Sequence, residues 1–339
     1  MPRHSPLTLP AGTAAATPGT RRSPAALALS IAMAAITPGH TLAADLVANA
    51  RAQIGSQSLQ AGELRWQDGP LRTVLTATRI DGGEVRLRAN ELALDHALGG
   101  GFLSAGKKVM SWDVGYAFRP LDVVQREDRR ALNPLALEGI PMLAWERFDA
   151  DSATTIVWAN PGRGRAAGAG SQRKDEAIAI RQYRQRGARD EYAVLRLSER
   201  NGIEAGASFS QVASASLELH ASLLWQQRPK HGGKALAGFT WTTESKFSVV
   251  GEAWTDRSAA PGQQRNRMLR AAQYFDDVDV AADVLWQARS GAIGGSRIAT
   301  VSVGWKSGPW ILSASYRHYG GLAGRYADNL ALASIQRGF

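Results

Sequence analysis

The chain has 339 residues with 40 basic and 30 acidic side chains, a net charge of +10, 35 glycines, 10 tryptophans and no cysteine. Lacking thiols, it has no disulfide framework and depends on no oxidising or reducing compartment. No stretch of ~18 or more residues is continuously apolar, which excludes a transmembrane helix.

Residues 1–44 read as an export signal. Arg21 and Arg22 precede the apolar run 25–36, and Pro38, Gly39 and a small-residue stretch ending in Ala43 and Ala44 follow it. A basic segment, a short apolar segment and a small-residue cleavage site together make a secretory signal peptide, cut after Ala43 or Ala44. Three of the 40 basic side chains and none of the 30 acids lie in this segment, so the exported chain carries 37 against 30, a net of +7. Residues 45–70 form a periplasmic segment or extra strand. A strand at 62–68 would need another near 47–56 to keep the number even.

From residue 71 to 339 one pattern repeats: about ten residues of apolar–polar alternation, then a break. The expected strands are 71–80, 84–94, 105–113, 141–149, 151–159, 175–183, 190–198 and 202–210. They continue as 214–226, 234–242, 245–255, 267–275, 279–289, 296–306, 309–318 and 330–339. In 214–226, Ala215, Leu217, Leu219, Ala221, Leu223 and Trp225 share one face. Ser216, Glu218, His220, Ser222 and Gln226 share the other, with Leu224 the exception. In 245–255, Phe247, Val249, Gly251 and Ala253 oppose Lys246, Ser248 and Glu252. In 279–289, Val280, Ala282, Val284 and Trp286 oppose Asp279, Asp283, Gln287 and Arg289.

Soluble sandwiches use strands of roughly five or six residues. A strand tilted through a bilayer needs roughly 9–11, apolar toward lipid and polar toward a lumen. The expected fold is therefore all-β: an antiparallel transmembrane β-barrel of about 16 strands, within limits of about 14–18. Trp112, Trp158, Trp225, Trp241, Trp254, Trp286, Trp305 and Trp310 fall near strand ends, where an interfacial girdle would lie. The breaks give a parity test. Those at 114–140, 160–174, 227–233, 256–266 and 319–329 are long and fall on one side, while 150, 211–213, 243–244, 276–278 and 307–308 are short and fall on the other. Short periplasmic turns and long external loops are the rule in such barrels. The breaks at 95–104 and 184–189 are long for their side.

The longest external loop, 114–140, carries a knot of charge: Arg119, Asp122, Arg126, Glu127, Asp128, Arg129 and Arg130. Pro120 restricts its backbone, and Asp122 is placed to cap one or two helical turns over 123–130. Two placements are open. Folded inward, the knot would act as a pore constriction, fixing a local field beside the lumen wall. Folded outward, it would meet water or lipopolysaccharide phosphates. The lumen-wall charges expected from alternation are Arg196, Glu218, His220, Asp283, Arg289, Lys306 and Arg317.

The segment around the knot resembles porin-like outer-membrane barrels, including uncharacterised and alginate-export types. Gly106, Ser111, Trp112, Phe118, Pro120, Asp122, Gly139, Pro141 and Met142 match the pattern, while Lys108, Asp113 and Arg119 depart from it. The resemblance implies a bacterial outer-membrane location and a long loop anchored at the barrel rim. The terminal Phe339, with Ala331, Ala333 and Ile335 on its face, resembles the signal by which the barrel-assembly machinery takes up such chains; Arg337 departs from it.

No catalytic or metal-ligating constellation stands out. His96, His220, His231 and His318 have no metal-ligand spacing, and no nucleophile elbow or phosphate loop is present. His220 with Ser222 and Glu218 is the one faint hydrolase candidate, read first as a polar lumen wall. No cofactor and no nucleic-acid partner are expected. The expected function is a porin-like channel for polar solutes, with the basic charge leaning toward anions. A structural barrel sheathing a partner is the alternative. Outer-membrane lipid and lipopolysaccharide are the expected surroundings.

Overall fold

The computed structural model describes residues 45–125, 127, 130–132, 137–161, 175–228, 231–288 and 294–338. The expected signal peptide and Phe339 lie outside them, as do Arg126, Asp128, Arg129 and Arg289. Among the described residues eighteen strands form one antiparallel sheet in which every strand pairs with its sequence neighbours. They are β1 (Asp45–Gly55), β2 (Leu59–Asp68), β3 (Leu71–Ile80), β4 (Arg86–Leu98), β5 (Gly101–Lys108), β6 (Ile140–Phe148), β7 (Ser152–Ala159), β8 (Ala177–Arg186) and β9 (Arg189–Ser198). The second half comprises β10 (Gly202–Ser214), β11 (Leu217–Gln226), β12 (Gly232–Thr242), β13 (Phe247–Asp256), β14 (Arg265–Tyr274), β15 (Val278–Gln287), β16 (Ser296–Ser307), β17 (Trp310–Gly321) and β18 (Leu330–Gly338).

Closure is made by β1 against β18, in register from Asn49 opposite Gly338 to Gly55 opposite Leu332. It leaves no open edge for hydrocarbon to meet. Alternation sets the two faces: Leu223 and Trp225 of β11 are exposed at 60% and 44%, while their neighbours Ser222, Leu224 and Gln226 are buried. The exposed face is apolar and points away from the barrel, the arrangement of a lipid-facing wall.

The strand count is 18 rather than 16 because residues 45–68 supply β1 and β2, so 45–70 belongs to the wall. Two breaks shrink as well. The connection β4–β5 is the pair Gly99-Gly100, both at positive φ (61° and 73°), and β8–β9 turns at 187–188. Two positive-φ residues in succession make the tight hairpin that matches strand twist, and glycine adopts them without strain. All connections at this turn rim span two to four residues, whereas the opposite loop rim carries 109–139, 160–176, 257–264, 288–295 and 322–329.

The expected strand 105–113 ends at Lys108, and Val123–Gln125 is irregular rather than helical. Six of the expected girdle tryptophans, Trp158, Trp225, Trp241, Trp286, Trp305 and Trp310, stand exposed on the outer face. The other two do not: Trp112 lies in the loop and Trp254 points inward, and both are buried. Arg337, out of pattern near the chain end, sets its guanidinium 5.0 Å from the ring of Trp310 at the turn rim.

Candidate functional site: a loop folded against the lumen wall

The loop between β5 and β6 packs its described residues 110–124 against inward-facing side chains of the wall. Gln125 closes the neck. Its amide oxygen accepts from the Met110 N–H at 3.0 Å and its amide nitrogen donates to the Glu138 carbonyl at 3.0 Å. Above the neck, Met110, Trp112 and Leu121 form one apolar cluster with Ile140, Met142, Ala144, Val157, Ala159, Ala179, Val194 and Leu224. Leu224, the residue that broke the alternation of β11, is 1% exposed, and Leu121 is fully buried. Gly206 makes the seat, since a Cβ there would come within 2.5 Å of Leu121 Cδ2.

Farther along, Tyr116, Ala117 and Phe118 pack on Leu236, Trp254, Met268 and Leu285 of β12–β15, with Phe118 stacked on Trp254 at 5.6 Å between centroids. Arg270 lies 5.5 Å from the Tyr116 ring. Burial pushes the Tyr116 hydroxyl above its ordinary pKa, and Arg270 pulls the other way. Glu252 of β13 accepts from the N–H groups of Tyr116 (2.6 Å) and Ala117 (2.7 Å), and its carboxylate also meets His220 Nε2 at 3.0 Å. Gly238 between them leaves the room; a Cβ there would fall 2.5 Å from His220 Nε2.

The described charges of the knot are largely spent on folding the loop. Asp122 accepts from the Trp112 N–H (2.6 Å) and Asp113 N–H (3.0 Å) and pairs with Arg119 at 2.7 Å. Burial pushes its carboxyl above the ordinary carboxylate value, against the pull of Arg119 and the two N–H groups. Arg119 also reaches Glu127 at 3.1 Å. Asp113 accepts from the Leu121 N–H and from the hydroxyl of Ser222 on β11, each at 2.5 Å. Arg130 lies 3.9 Å from Asp283 of β15, which is also 3.9 Å from Arg270, and Arg317 of β17 donates to the Arg130 carbonyl.

The wall residues fall into separate sites. Arg196 pairs with Asp175 at 2.6 Å and with Glu204, closing β8–β10 at the loop rim. Burial would raise the Asp175 carboxyl, but the Ser198 hydroxyl, the Arg200 N–H and Arg196 outweigh it and hold it below the ordinary value. Glu218 accepts from Ser210 at 2.6 Å. Lys306 shares the inward register of Gly304 and Ser302 but stands exposed near the turn rim. The candidate set His220, Ser222 and Glu218 does not converge, because its members bond to Glu252, Asp113 and Ser210 respectively.

On β1–β4 the register puts Arg51, Arg65, Arg72 and Arg88 on the inward face. Arg65 pairs with Glu63 at 2.5 Å, Arg72 with Glu91 at 3.3 Å and Arg88 with Glu138 at 3.6 Å. Sequence reasoning missed this row and also Glu252, Asp175, Glu204 and Gln125. The signal for Glu252 was present as the charged residue opposite Val249 and Gly251 in an alternating strand.

No protein-family model matches the chain, and no curated protein does. Solved structures do. Pseudomonas aeruginosa OccK3 shares 10% identity with a TM-score of 0.59, covering 87% of this chain and 94% of its own. OpdK from the same organism, solved with vanillate, shares 12% with a TM-score of 0.60, over 87% and 97%. OprD shares 7% with a TM-score of 0.60, over 88% and 94%. The chain has the fold of the outer-membrane porins. In porin terms, residues 110–124 of this loop are turned into the barrel rather than away from it.

Proposed function

We propose that this porin barrel is a passive channel of the bacterial outer membrane for small polar solutes, and that its passage favours anions. A closed barrel of about 18 strands leaves an aqueous lumen unless something fills it. The described residues 110–125 and 130 occupy one side, with anchors on β6–β17. The passage then runs between the loop and the β1–β4 wall, and the loop is its constriction.

The observation that carries the anion preference is the distribution of charge across that gap. The loop carboxylates Asp113 and Asp122 are buried and tied to N–H groups and Arg119. The facing wall carries Arg51, Arg65, Arg72 and Arg88 against Glu63, Glu91 and, from the loop neck, Glu138. Surplus positive charge along one wall of a narrow pore raises the local concentration of anions. The solved neighbours are outer-membrane proteins of the same architecture, and OpdK was solved with a carboxylate, vanillate.

The test is the zero-current potential of single channels in planar bilayers under a salt gradient. Wild type is expected to lean toward anions, and replacing the four arginines with glutamine to move it toward cations. A silent or strictly cation-selective wild-type channel would overturn the reading.

A further inference from the structure

On the outer face of β12–β16, close to the loop rim, the register brings three arginines around one tryptophan. Arg267 of β14 is directly opposite Ala253 of β13 on one side and Trp286 of β15 on the other, and Trp286 is opposite Arg297 of β16. Arg265, Arg267 and Arg297 are all exposed, and Trp286 is 42% exposed. Among the described residues none of the three arginines takes part in an ion pair, whereas the inward-facing Arg65, Arg72, Arg88, Arg196 and Arg270 each do.

Beside them the wall is concave. Ala237 faces Ala253 across β12–β13, and Ala235 faces Thr255. These small side chains, with Arg265, Arg267 and Trp286, line a groove of about 950 Å³ on the outside of the barrel. An arginine on the lipid face is disfavoured at the bilayer centre and tolerated near the interface, where its head reaches the polar layer. Three together, none paired with a carboxylate among the described residues, suit a multivalent anion. Guanidinium forks match phosphate oxygens two by two. Long loops mark the loop rim as the external side, so the lipid beside this groove belongs to the outer leaflet.

We propose that this face binds a phosphorylated glycolipid of the outer leaflet. Its phosphate is held by Arg265, Arg267 and Arg297, and an acyl chain lies in the alanine-lined groove against Trp286. The site lies on the opposite face of the wall from the passage. The inference rests on the outer-membrane placement proposed above, but not on solute preference.

The test uses the full-length, folded protein in detergent. Native mass spectrometry with bisphosphorylated lipid A, the same lipid freed of its phosphates, and phosphatidylglycerol as probes counts bound lipid. Wild type is expected to hold one bisphosphorylated lipid A at least tenfold more tightly than either other probe. The triple variant R265Q/R267Q/R297Q should lose that difference while keeping wild-type conductance. Replacing the three with lysine should restore part of it. Should the glutamine variant fold poorly, Ala253→Phe fills the groove without removing charge and is expected to weaken binding too.

Equal binding by wild type and triple variant would overturn the proposal. So would an equal loss in R184Q/R189Q, which removes two arginines near the turn rim, since that would show only general charge. A lipid-free oligomer that the groove substitutions dissolve would also overturn it, assigning the groove to a second copy of this chain. Loss of ion selectivity with lipid binding intact would sink the channel reading alone.

Discussion

The carboxylate of Glu252 accepts the backbone N–H of Tyr116 at 2.6 Å, across 136 residues of sequence. The same carboxylate takes the next N–H, from Ala117, so one wall side chain fixes two successive peptide units of the loop. Hydrogen bonds to a charged group contribute about 1.5–3 kcal/mol each, and a buried partner left without one costs a similar amount. Glu252→Ala is therefore expected to free the Tyr116–Phe118 tip, raising single-channel conductance and its noise. Glu252→Gln, which keeps one acceptor, should fall between. Unchanged conductance in the alanine variant would mean the tip is held elsewhere.

Leu121 is the fully buried pivot of the loop, seated between Gly206 and Leu224. Truncating such a leucine to alanine costs about 2–5 kcal/mol. Because the lost contacts join loop to wall, Leu121→Ala should loosen the loop without unfolding the barrel. Trypsin is expected to cut the Arg130–Ala131 bond in the variant and not in wild type, while the heat-modifiable mobility of the barrel stays. Resistance equal to wild type would count against the seat. Gly206→Val, which blocks it from the wall side, should behave like the truncation.

Asp175 gives a pH signature. Its carboxyl sits below the ordinary value in the folded protein, so the folded state holds its proton less readily than the unfolded chain. Its stabilising contribution is complete above the ordinary carboxylate pKa of about 3.9 and is lost as pH falls through the lower folded value. The stability gap between wild type and Asp175→Asn, read as the temperature of heat modification, should be constant from neutral pH to about pH 5 and close below about pH 4. A gap that widens with acid would show the sign to be wrong.

Neutralising Arg130 separates a folding role from a field role. The Arg130 guanidinium lies near Asp283, and its carbonyl is held by Arg317, a bond that any side chain at position 130 keeps. Arg130→Gln is expected to shift selectivity toward cations with little change in conductance. Arg317→Ala, which removes the donor, should change conductance. Identical effects would mean that the two act only as one packing unit.

Alternation carried most of the wall into view. Where each strand had one apolar and one polar face, as in β11, β15 and β17, the sequence boundaries agree with the structure to within a few residues. The count fell short because β1 and β2 mix the faces: Ala52 and Ile54 share the outer side, but Arg51, Gln53 and Arg65 read as a soluble segment until the barrel supplies a lumen for them. The loop seat was written in the exceptions. Leu224, Leu285 and Trp254 are apolar on the polar face, and Gly206 and Gly238 are empty there. A single strand cannot say what such a residue awaits, because its partner sits on a loop far away in sequence. The roles of Arg119 and Asp122 were hidden likewise, since a cluster of mixed charge looks the same whether its members face solvent or one another.

The seam between β1 and β18 makes the barrel a ring in space, though the chain is a line. Asn49 and Gly338 sit opposite each other at the turn rim, so the first and last strands are ordinary neighbours. A short peptide joining them there would complete the circle, and a cut at another two-residue turn such as Gly99-Gly100 would reopen it without disturbing a ladder. The starting point of the wall is thus a matter of synthesis rather than architecture: what defines the molecule is the cyclic order of its strands and the described loop residues 110–124 turned toward its axis.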